Sequence, residues 1–546
     1  MSRARGIARD EVESGGLLTR CTGHTVPQVR ILSSPDFLPI LYNLPMSAHN
    51  THFSALLRNM MVSPFDITRQ NGESNGEPEI EQILSDISEI LPPLGEPIKN
   101  VINEDVLVTQ RTDSLTQRKT FRPGDLLLLR AAGSNELHGE IWTRDALITL
   151  WLLFQLLNLS DNSREYIHAE LKNTVLYSAL STLALLLSAT KHEHDRVLLP
   201  LRFGSRDWKS KHQFRLLLGR HNKPFEIDNR VYKNTTPLPS DYPVDLLPLF
   251  SLTFHEMFKY VSNSHVLNAK IVVLKERVFE FVAKAAAMYY GDEDKKFGFV
   301  HTSGEYSGLL ISGTNSFWED STVTLKGRAY GVPNVLFLKM LGILSEQFED
   351  DWAQRLREMK KAIGRFLTDE SHQRVFYAYR MRTRKPIHLV STLATLLQMQ
   401  DQLLMADDFH TQGDKEKILQ GIIRTRAFSP PARPLLDLHA SFRDRMLRFG
   451  ESLITSGFPM YHTSFHWPWI GGITAIIAVQ NGWDKVTEEI SRRVLKIYAA
   501  GDRKYPEVVN SRGKAVNLFG ISPFANFQTW TIAAVLVSDF LSRERR

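Results

Sequence analysis

The pattern of apolar and polar positions after residue 142 is predominantly helical. Apolar residues recur at i, i+3 and i+4 spacing in successive segments, which are joined by short turns and separated by longer loops. About twelve helices are predicted in this way, near Trp142–Leu159, Arg164–Ser188, Val244–Ser262, Val266–Tyr290, Pro333–Leu344, Asp351–Leu367, Leu389–Ala406, Lys415–Arg424, Leu438–Leu453, Trp469–Asn481, Lys485–Ala500 and Phe527–Leu541. Helices that arrive in pairs favour an all-α fold, the (α/α)6 toroid of six helical hairpins. Paired helices also suit a solenoid, but the sequence has no repeat of fixed period.

The N-terminal part of the chain has a different pattern. Residues 1–95 show little periodicity and contain turn-rich stretches such as Asn71–Pro78, which predict a partly disordered extension. Apolar residues at Val106–Val108 and Leu126–Leu129 predict a short β-hairpin, in a strand-rich lead-in at 100–130. The main helical domain is therefore predicted to cover residues 96–546.

Composition and charge fit a globular intracellular protein. The 546 residues are 43% hydrophobic and 23% charged, and the net charge of +6 is modest for this length. The single cysteine, Cys21, cannot form an internal disulfide. No apolar run reaches the roughly 18 residues that a membrane span needs, and the N-terminus resembles neither a secretory signal nor a transit peptide. We therefore expect a cytoplasmic protein whose partners include neither a membrane nor a nucleic acid.

Three separated segments combine aromatic residues and carboxylates at predicted helix starts. The first is Ile-Trp-Thr-Arg-Asp at 141–145 and the second is Phe-Trp-Glu-Asp-Ser at 317–321. The third is Tyr-Pro-Glu at 505–507, followed by Phe-Gln-Thr-Trp-Thr-Ile-Ala-Ala at 527–534. Loops at one mouth of a toroid could bring these segments together. Cleavage of a glycosidic bond needs two carboxyl groups beside one oxygen, and tryptophan suits the apolar face of a sugar ring, so the segments predict a carbohydrate-cleaving site.

Two acids are the candidates for catalysis. Asp320, or its neighbour Glu319, is the expected general acid, because a partly buried position beside Trp318 would raise the pKa of a carboxyl group. Glu507 is the expected general base. The alternative for Asp320 is a helix cap or a surface acid, and the alternative for Glu507 is a solvent-facing acid after Pro506.

Further residues in these and similar segments are candidates for substrate contacts. Tryptophan can stack on a sugar ring, while arginine, carboxylates and amides can hydrogen-bond to its hydroxyl groups. The alternatives are ordinary helix starts, a surface Arg–Asp pair and core tryptophans. The candidates are Trp142, Arg144, Asp145, Asp207, Trp208, Trp318, Glu319, His466, Trp467, Trp469, Gln528 and Trp530.

Other active-site signatures are missing from the sequence. It contains no GxSxG elbow, P-loop, HExxH pair, CxxC pair or dinucleotide fingerprint after a strand. His192 and His194, with Glu193 and Asp195, imitate a metal site but fit better as a polar turn after the preceding helix. We therefore expect no metal and no cofactor.

Taken together, the segments resemble those of the six-hairpin glycosidases. Ile-Trp-Thr-Arg-Asp resembles the Trp-x-Arg-Asp of the glucosidase domain of glycogen-debranching enzymes. Trp-Glu-Asp-Ser at 318–321 is similar to their Trp-Met-Asp and to the Val-Asp-Ser-Gly of neutral/alkaline invertases. Tyr-Pro-Glu followed by Gln-Thr-Trp-Thr-Ile-Ala resembles the closing Trp-Pro-Glu and Gln-Thr-Trp-Ser-Ile-Ala of those invertases, and Trp467–Gly472 occupies the place of a related helix start. The resemblance covers about residues 140–546.

The resemblance implies an (α/α)6 toroid and an inverting hydrolase, with Asp320 as the acid and Glu507 as the base. We expect its substrate to be an α-linked glucoside or oligosaccharide. Tyr505 replaces a tryptophan of the invertases, and Val508 and Val509 replace their paired tyrosines, so sucrose specificity is not implied. Two alternatives stay open: a toroid that binds carbohydrate or a partner protein without catalysis, and a toroid with lyase or phosphorylase chemistry. The sequence does not indicate the oligomeric state.

Overall fold

The fold is that of a computed structural model of the chain. The structure describes residues 61–62, 82–83, 86–87, 128–129, 141–160, 169–188, 190–193, 196–199, 202–203, 243–263, 269–291, 298–313, 317–318, 327–348, 351–369, 374–400, 435–436, 442–443, 445–446, 449, 465–500, 505–510, 512–516 and 528–543. All of these residues belong to one compact unit, Met46–Arg546. None of the described helices is both long enough and apolar enough to cross a lipid bilayer.

Six helices form a closed inner ring. The helices of the described residues are Thr143–Ser160 (α1), Ala169–Ser188 (α2), Leu246–Asn263 (α3), Ala269–Gly291 (α4), Gly331–Gln347 (α5), Asp351–Phe366 (α6), Thr392–Gln400 (α7), Pro468–Gln480 (α8), Asp484–Ala500 (α9) and Thr529–Arg543 (α10). The helices α1, α3, α5, α7, α8 and α10 pack side by side in this order, and α10 packs against α1 to close the ring. Of the others, α2 packs on α1, α4 on α3, α6 on α5, and α9 on both α8 and α10. The predicted (α/α)6 toroid is confirmed.

The distribution of polar residues explains which helices lie inside. In α5 every residue from Gly331 to Leu344 is buried, and in α8 every residue from Pro468 to Ala478 is buried. A helix that is apolar all round has to be enclosed, whereas a helix with one apolar stripe suits an outer layer. The outer helix α6 has such a stripe, formed by Met359, Ala362, Ile363 and Phe366.

A glycine permits a close approach between two inner helices. A Cβ atom added to Gly472 on α8 would lie 2.9 Å from the Cβ of Ala534 on α10 and 3.0 Å from its Cα. Carbon atoms normally make contact at about 3.5–4.0 Å. Gly472 therefore allows a spacing of α8 and α10 that a larger residue would prevent.

The described strands are short, and they form antiparallel ladders. Their bounds are Met61–Val62 (β1), Leu128–Leu129 (β2), Ile141–Trp142 (β3), Lys191–Glu193 (β4), Arg196–Leu198 (β5), Arg202–Phe203 (β6), Phe299–Val300 (β7), Leu310–Ile311 (β8), Arg328–Tyr330 (β9), Phe376–Arg380 (β10), Lys385–Ser391 (β11) and Leu435–Leu436 (β12). Two-stranded ladders join β1 to β2, β3 to β6, β4 to β5 and β7 to β8. The β4–β5 ladder lies where the sequence predicts a polar turn after α2.

The largest sheet among the described strands lies at the N-terminal ends of two inner helices. It has the order β12-β11-β10-β9, and β9 leads directly into α5 while β11 leads directly into α7. The apolar pattern does not predict this sheet, and it predicts a helix that starts at Leu389, which is wrong because Leu389 is a strand residue. The reason is that four successive residues of β10, Phe376–Tyr379, are buried, so this strand lacks the alternation that marks a half-buried one.

The described residues of the N-terminal region contact the helical part of the unit. Strand β2, which overlaps the second arm of the predicted hairpin, pairs with β1, and the first arm at Val106–Val108 lies outside the described residues. Ile83 and Ile87 are buried, and Asp86 forms an ion pair with Arg277 on α4. The division of the chain at residue 95 stays a prediction.

Polar side chains meet at the C-terminal end of the ring. Gln400, the last residue of α7, donates from Nε2 to Oε1 of Gln155 on α1 at 2.6 Å, and it accepts at Oε1 from Lys339 Nζ on α5 at 3.0 Å. A longer contact of 3.4 Å joins Gln400 Nε2 to Oε1 of Gln480, the last residue of α8. Because α1 and α7 occupy opposite positions in the ring, the contact between Gln400 and Gln155 reaches across it.

Candidate active site

The N-terminal ends of inner helices meet at the opposite end of the ring, which is the mouth of the toroid. Asp245, directly before α3, contacts the first turn of α1, and Gln528, directly before α10, contacts the same turn. Trp469 at the start of α8 stacks on Trp530 in the first turn of α10. Helix N-termini present N–H groups without intrahelical partners and a partial positive charge, so they favour carboxylates and polar ligands.

Two buried carboxyl groups lie near one another at the mouth. The exposed fractions of Asp145 and Glu507 are 8% and 3%. Burial, and after it the charge of Glu507, raises the pKa of Asp145 to about 8, although Arg144 and the hydrogen bond from Gln528 oppose the rise. Gln528 Nε2 donates to Asp145 Oδ2 at 2.7 Å. The raised pKa favours the protonated form of Asp145 near neutral pH, in which the carboxyl can donate a hydrogen bond.

Backbone contacts hold the segment that carries Glu507. The N–H of Gln528 donates to the carbonyl of Tyr505 at 2.7 Å, and Thr531 Oγ1 donates to the carbonyl of Pro506 at 2.9 Å. Two residues after Glu507, the backbone of Val509 exchanges two hydrogen bonds of 2.9 Å with His466. The start of α10 and the chain before α8 thus fix Glu507 from both sides. These contacts explain why the Tyr-Pro-Glu and Phe-Gln-Thr-Trp motifs belong to one site.

Four buried tryptophans form an aromatic cluster beside these groups. The ring centroids of Trp469 and Trp530 are 5.9 Å apart in a stacked arrangement. Trp318 meets Trp469 edge-on at 4.6 Å and Trp467 edge-on at 5.2 Å, and Trp467 meets Trp530 at 5.6 Å. Edge-on and offset contacts are the favoured geometries of aromatic pairs. The cluster therefore joins three separate parts of the chain beside the two carboxyl groups.

Several polar atoms at the mouth have no hydrogen-bond partner within the described part of the chain. They are Nε1 of Trp469, Nε1 of Trp530 and Oε1 of Gln528, and all three are buried. Buried polar atoms normally find partners, and leaving one unpaired costs about 1–3 kcal/mol. Two donors and one acceptor beside two carboxyl groups suit a ligand that carries several hydroxyl groups.

An ion pair links the first turn of α1 to the segment that contains Trp318. Arg144 Nη2 donates to Asp245 Oδ1 at 3.2 Å, and its Nε lies 3.1 Å from Asp245 Oδ2. The backbone N–H of Trp318 also donates to Asp245 Oδ2, at 2.8 Å. Burial raises the pKa of Asp245, whereas the Arg144 guanidinium and the Trp318 amide lower it. Asp245 is not predicted from the sequence, because an acid before an apolar helix is typical of an ordinary helix start and the contacts of Asp245 are remote in sequence.

Most of the predicted site residues that the structure describes lie at this mouth. Trp142 is half-buried in β3, directly before α1. The predicted acid Asp320, its neighbour Glu319, and the candidate contacts Asp207 and Trp208 lie outside the described residues. The residues that come together are Arg144, Asp145, Trp318, His466, Trp467, Trp469, Glu507, Gln528 and Trp530. Their roles toward a substrate stay predictions.

The described residues show no metal site. No group of three or more His, Cys, Asp or Glu side chains among them could hold a metal ion. Of the two histidines that imitate a metal site, His192 lies in β4 and His194 is outside the described residues.

Solved structures with a similar chain path include three glycosidases. A GH63 mannosylglycerate hydrolase from Thermus thermophilus is 11% identical, with a TM-score of 0.43 over 80% of this chain and 99% of that one. Neutral trehalase from Saccharomyces cerevisiae is 11% identical, with a TM-score of 0.43 over 77% of this chain and 74% of that one. A family 76 mannosidase from Bacteroides thetaiotaomicron is 9% identical, with a TM-score of 0.41 over 75% and 89%. No protein-family model matches the chain, and no curated protein matches it. The similarities concern the course of the chain and assign no role to a residue of this site.

Proposed function

We propose that the protein is a glycoside hydrolase that cleaves an α-glucosidic bond with inversion. The observation that carries the proposal is the pair of buried carboxyl groups, Asp145 and Glu507, beside the tryptophan cluster at the mouth of the toroid. The charge of Glu507 contributes, after burial, to the raised pKa of Asp145, so the two carboxyl groups belong to one site, in which protonated Asp145 can donate a hydrogen bond to a sugar. Acid–base cleavage of a glycosidic bond also requires a general acid, and this role is assigned to Asp320 rather than to Asp145.

In this proposal Glu507 acts as the general base and Asp320 as the general acid. Glu507 accepts a proton from the attacking water, while Asp320 delivers one to the leaving oxygen. Inversion requires a separation of roughly 6.5–9.5 Å between the two carboxyl groups, which leaves room for the water. The backbone hydrogen bonds on both sides of Glu507 support its assignment as a base in a fixed position. The resemblance of Trp-Glu-Asp-Ser at 318–321 to glycosidase motifs supports the assignment of Asp320 as the acid.

The remaining groups at the mouth act in substrate binding. Protonated Asp145 donates to a sugar hydroxyl, and Gln528 keeps one carboxyl oxygen of Asp145 occupied, which fixes the direction of the other. The indole N–H groups of Trp469 and Trp530 add two further donors. Burial of these groups strengthens each hydrogen bond, because the surroundings have a low dielectric constant.

A substrate panel with anomer-resolved NMR tests the proposal. Sucrose, isomaltose, maltooligosaccharides and glucosylglycerate are each incubated with the protein, and we expect β-configured glucose as the first product. Glu507→Gln and Asp320→Asn should each lower kcat by about 10²–10⁴-fold, the usual contribution of a general acid or base. Both variants should keep the helical circular-dichroism spectrum of the wild type.

The control is a half-buried acid of the outer layer. Glu489 on α9 pairs with Arg492 and Arg493, and Glu489→Gln should leave turnover unchanged. Wild-type turnover by Glu507→Gln or Asp320→Asn would contradict the role assigned to that residue. Absence of turnover on the whole panel, together with saturable binding of one of its sugars, would favour a toroid that binds carbohydrate without catalysis.

A further inference from the structure

Three buried carboxyl groups and a buried arginine meet at the mouth of the toroid. The carboxyl groups belong to Asp145, Asp245 and Glu507, and the arginine is Arg144. A guanidinium group keeps its positive charge in proteins, so a buried one needs at least one ionised carboxyl group as its counter-ion. The contacts of these side chains indicate which carboxyl group takes this role.

N–H donors face both oxygens of the Asp245 carboxyl group. Arg144 Nη2 donates to Oδ1 at 3.2 Å, and Arg144 Nε lies 3.1 Å from Oδ2. The backbone N–H of Trp318 donates to Oδ2 at 2.8 Å. Donors on both oxygens favour the charged form of a carboxyl group. Burial raises the pKa of Asp245, but these donors oppose the rise, and the buried guanidinium group needs the charged form.

The carboxyl group of Asp145 is held by an uncharged donor instead. Gln528 Nε2 donates to Oδ2 at 2.7 Å, and within the described part of the chain this is the single hydrogen bond of the Asp145 side chain. The other oxygen, Oδ1, receives no N–H from the described residues, so it can carry a proton. Arg144 precedes Asp145 in α1, yet its guanidinium group is directed to Asp245.

The groups around Asp145 come from several elements. Burial has the largest effect and raises the pKa of Asp145, the charge of Glu507 raises it further, and Arg144 on the same helix lowers it. The group that faces Asp145 from the start of α10 is the Gln528 amide, which does not titrate. Before α8, His466 is buried, and its backbone bonds to the segment that carries Glu507. Among the charges that act on Asp145, Arg144 is therefore the one that favours ionisation.

We propose that Asp245 serves as the counter-ion of Arg144 and thereby leaves Asp145 uncharged, so that Asp145 offers an O–H group to a bound hydrogen-bond acceptor. Asp245 is thus a positioning residue, because it acts on Asp145 through Arg144. Without its counter-ion, the guanidinium group would stabilise the ionised form of Asp145. The donation of this O–H to a sugar hydroxyl rests on the proposed function, whereas the choice of the protonated carboxyl group does not.

Replacing Asp245 by asparagine should shift the titration of Asp145. The free energy of unfolding in urea is measured from about pH 4 to about pH 10, with and without Asp145→Asn, and the difference follows the titration of Asp145. In the wild type this difference should stop changing near pH 8, the native pKa of Asp145, and we call this the levelling pH. Asp245→Asn should lower the levelling pH by about 1–3 units, because the charge of Arg144 is no longer neutralised.

A double variant separates this charge effect from a loss of packing. Asp245→Asn combined with Arg144→Gln removes both members of the ion pair, so the levelling pH should return to within about one unit of the wild-type value. If Asp245 acted in packing alone, the single and double variants would share one levelling pH. A matched control breaks an ion pair away from the mouth: Asp86 pairs with Arg277 on α4, and Asp86→Asn should leave the levelling pH unchanged.

The outcomes distinguish this inference from the proposed function. A lowered levelling pH in Asp245→Asn, restored by Arg144→Gln, supports the role of Asp245. An unchanged levelling pH in Asp245→Asn would overturn it, and so would a wild type whose difference does not depend on pH. If Asp245→Asn does not fold, the double variant decides, since a levelling pH well above the wild-type value would mean that Asp245 does not neutralise Arg144. A wild type that cleaves none of the sugars but shows these shifts would remove the proposed function alone.

Discussion

Replacing Asp145 by asparagine should change how the stability of the protein depends on pH. In the native state the pKa of the Asp145 carboxyl is raised to about 8, whereas its ordinary value is 3.8. Between these two values the native state binds more protons than the unfolded state, so the free energy of unfolding falls as the pH rises. An asparagine side chain does not titrate, so this fall would be absent from the Asp145→Asn variant.

The size of the effect follows from the two pKa values. Between pH 5 and pH 8, at about 1.4 kcal/mol for each pH unit, the wild type should lose on the order of 4 kcal/mol relative to the Asp145→Asn variant. The difference should level off above the native pKa of about 8. Asp145 is buried, with an exposed fraction of 8%, so solvent does little to weaken the effect.

Urea unfolding at pH 5, 6, 7, 8 and 9 measures this difference directly. A second variant, Glu507→Gln, removes the negative charge that helps to raise the pKa of Asp145. In the Glu507→Gln variant, the free energy of unfolding should therefore stop falling at a lower pH than in the wild type. If the wild type and Asp145→Asn kept a constant difference across the whole range, Asp145 would not hold a proton in the native state, and the account of the carboxyl pair would be refuted.

Two further predictions concern the packing around the mouth. Gly472→Ala should destabilise the protein by about 1–3 kcal/mol in urea unfolding, because the new methyl group forces α8 and α10 apart; an unchanged midpoint would contradict the close contact with Ala534. Asn334→Ala should cost about 2–4 kcal/mol in the same assay, since the buried amide bonds to the N–H and carbonyl of Leu310 and to the carbonyl of Tyr330. A loss below about 0.5 kcal/mol, the usual range for surface changes, would mean that these backbone groups find other partners.

The sequence predicts the helices of this fold because their signal is local. The continuous apolar run of α8 and the single apolar stripe of α6 can each be seen within a short stretch of sequence. They also indicate that α8 is enclosed and that α6 lies in the outer layer. The sheet before α7 was not predicted, because the buried strand β10 has no alternating pattern. Its position is set by contacts with strands that lie elsewhere in the chain.

The candidate site is predictable only in part, for a related reason. Trp-Thr-Arg-Asp and Phe-Gln-Thr-Trp are recognisable as motifs, and the structure joins them through the bond between Gln528 and Asp145. Asp245 has no such motif around it. Its function in the structure depends on Arg144 and Trp318, and no local pattern identifies a partner 101 residues away.

The glutamines at the C-terminal end of the ring determine the route of any ligand. Because Gln400 reaches across the ring to Gln155, the axis is obstructed where the described inner helices end. Under the proposed function, a ligand that enters at the mouth would therefore not pass out between the described inner helices at this end. A sugar released in the proposed reaction would then leave through the mouth by which the substrate entered, and we expect its retention to appear as competitive inhibition by product.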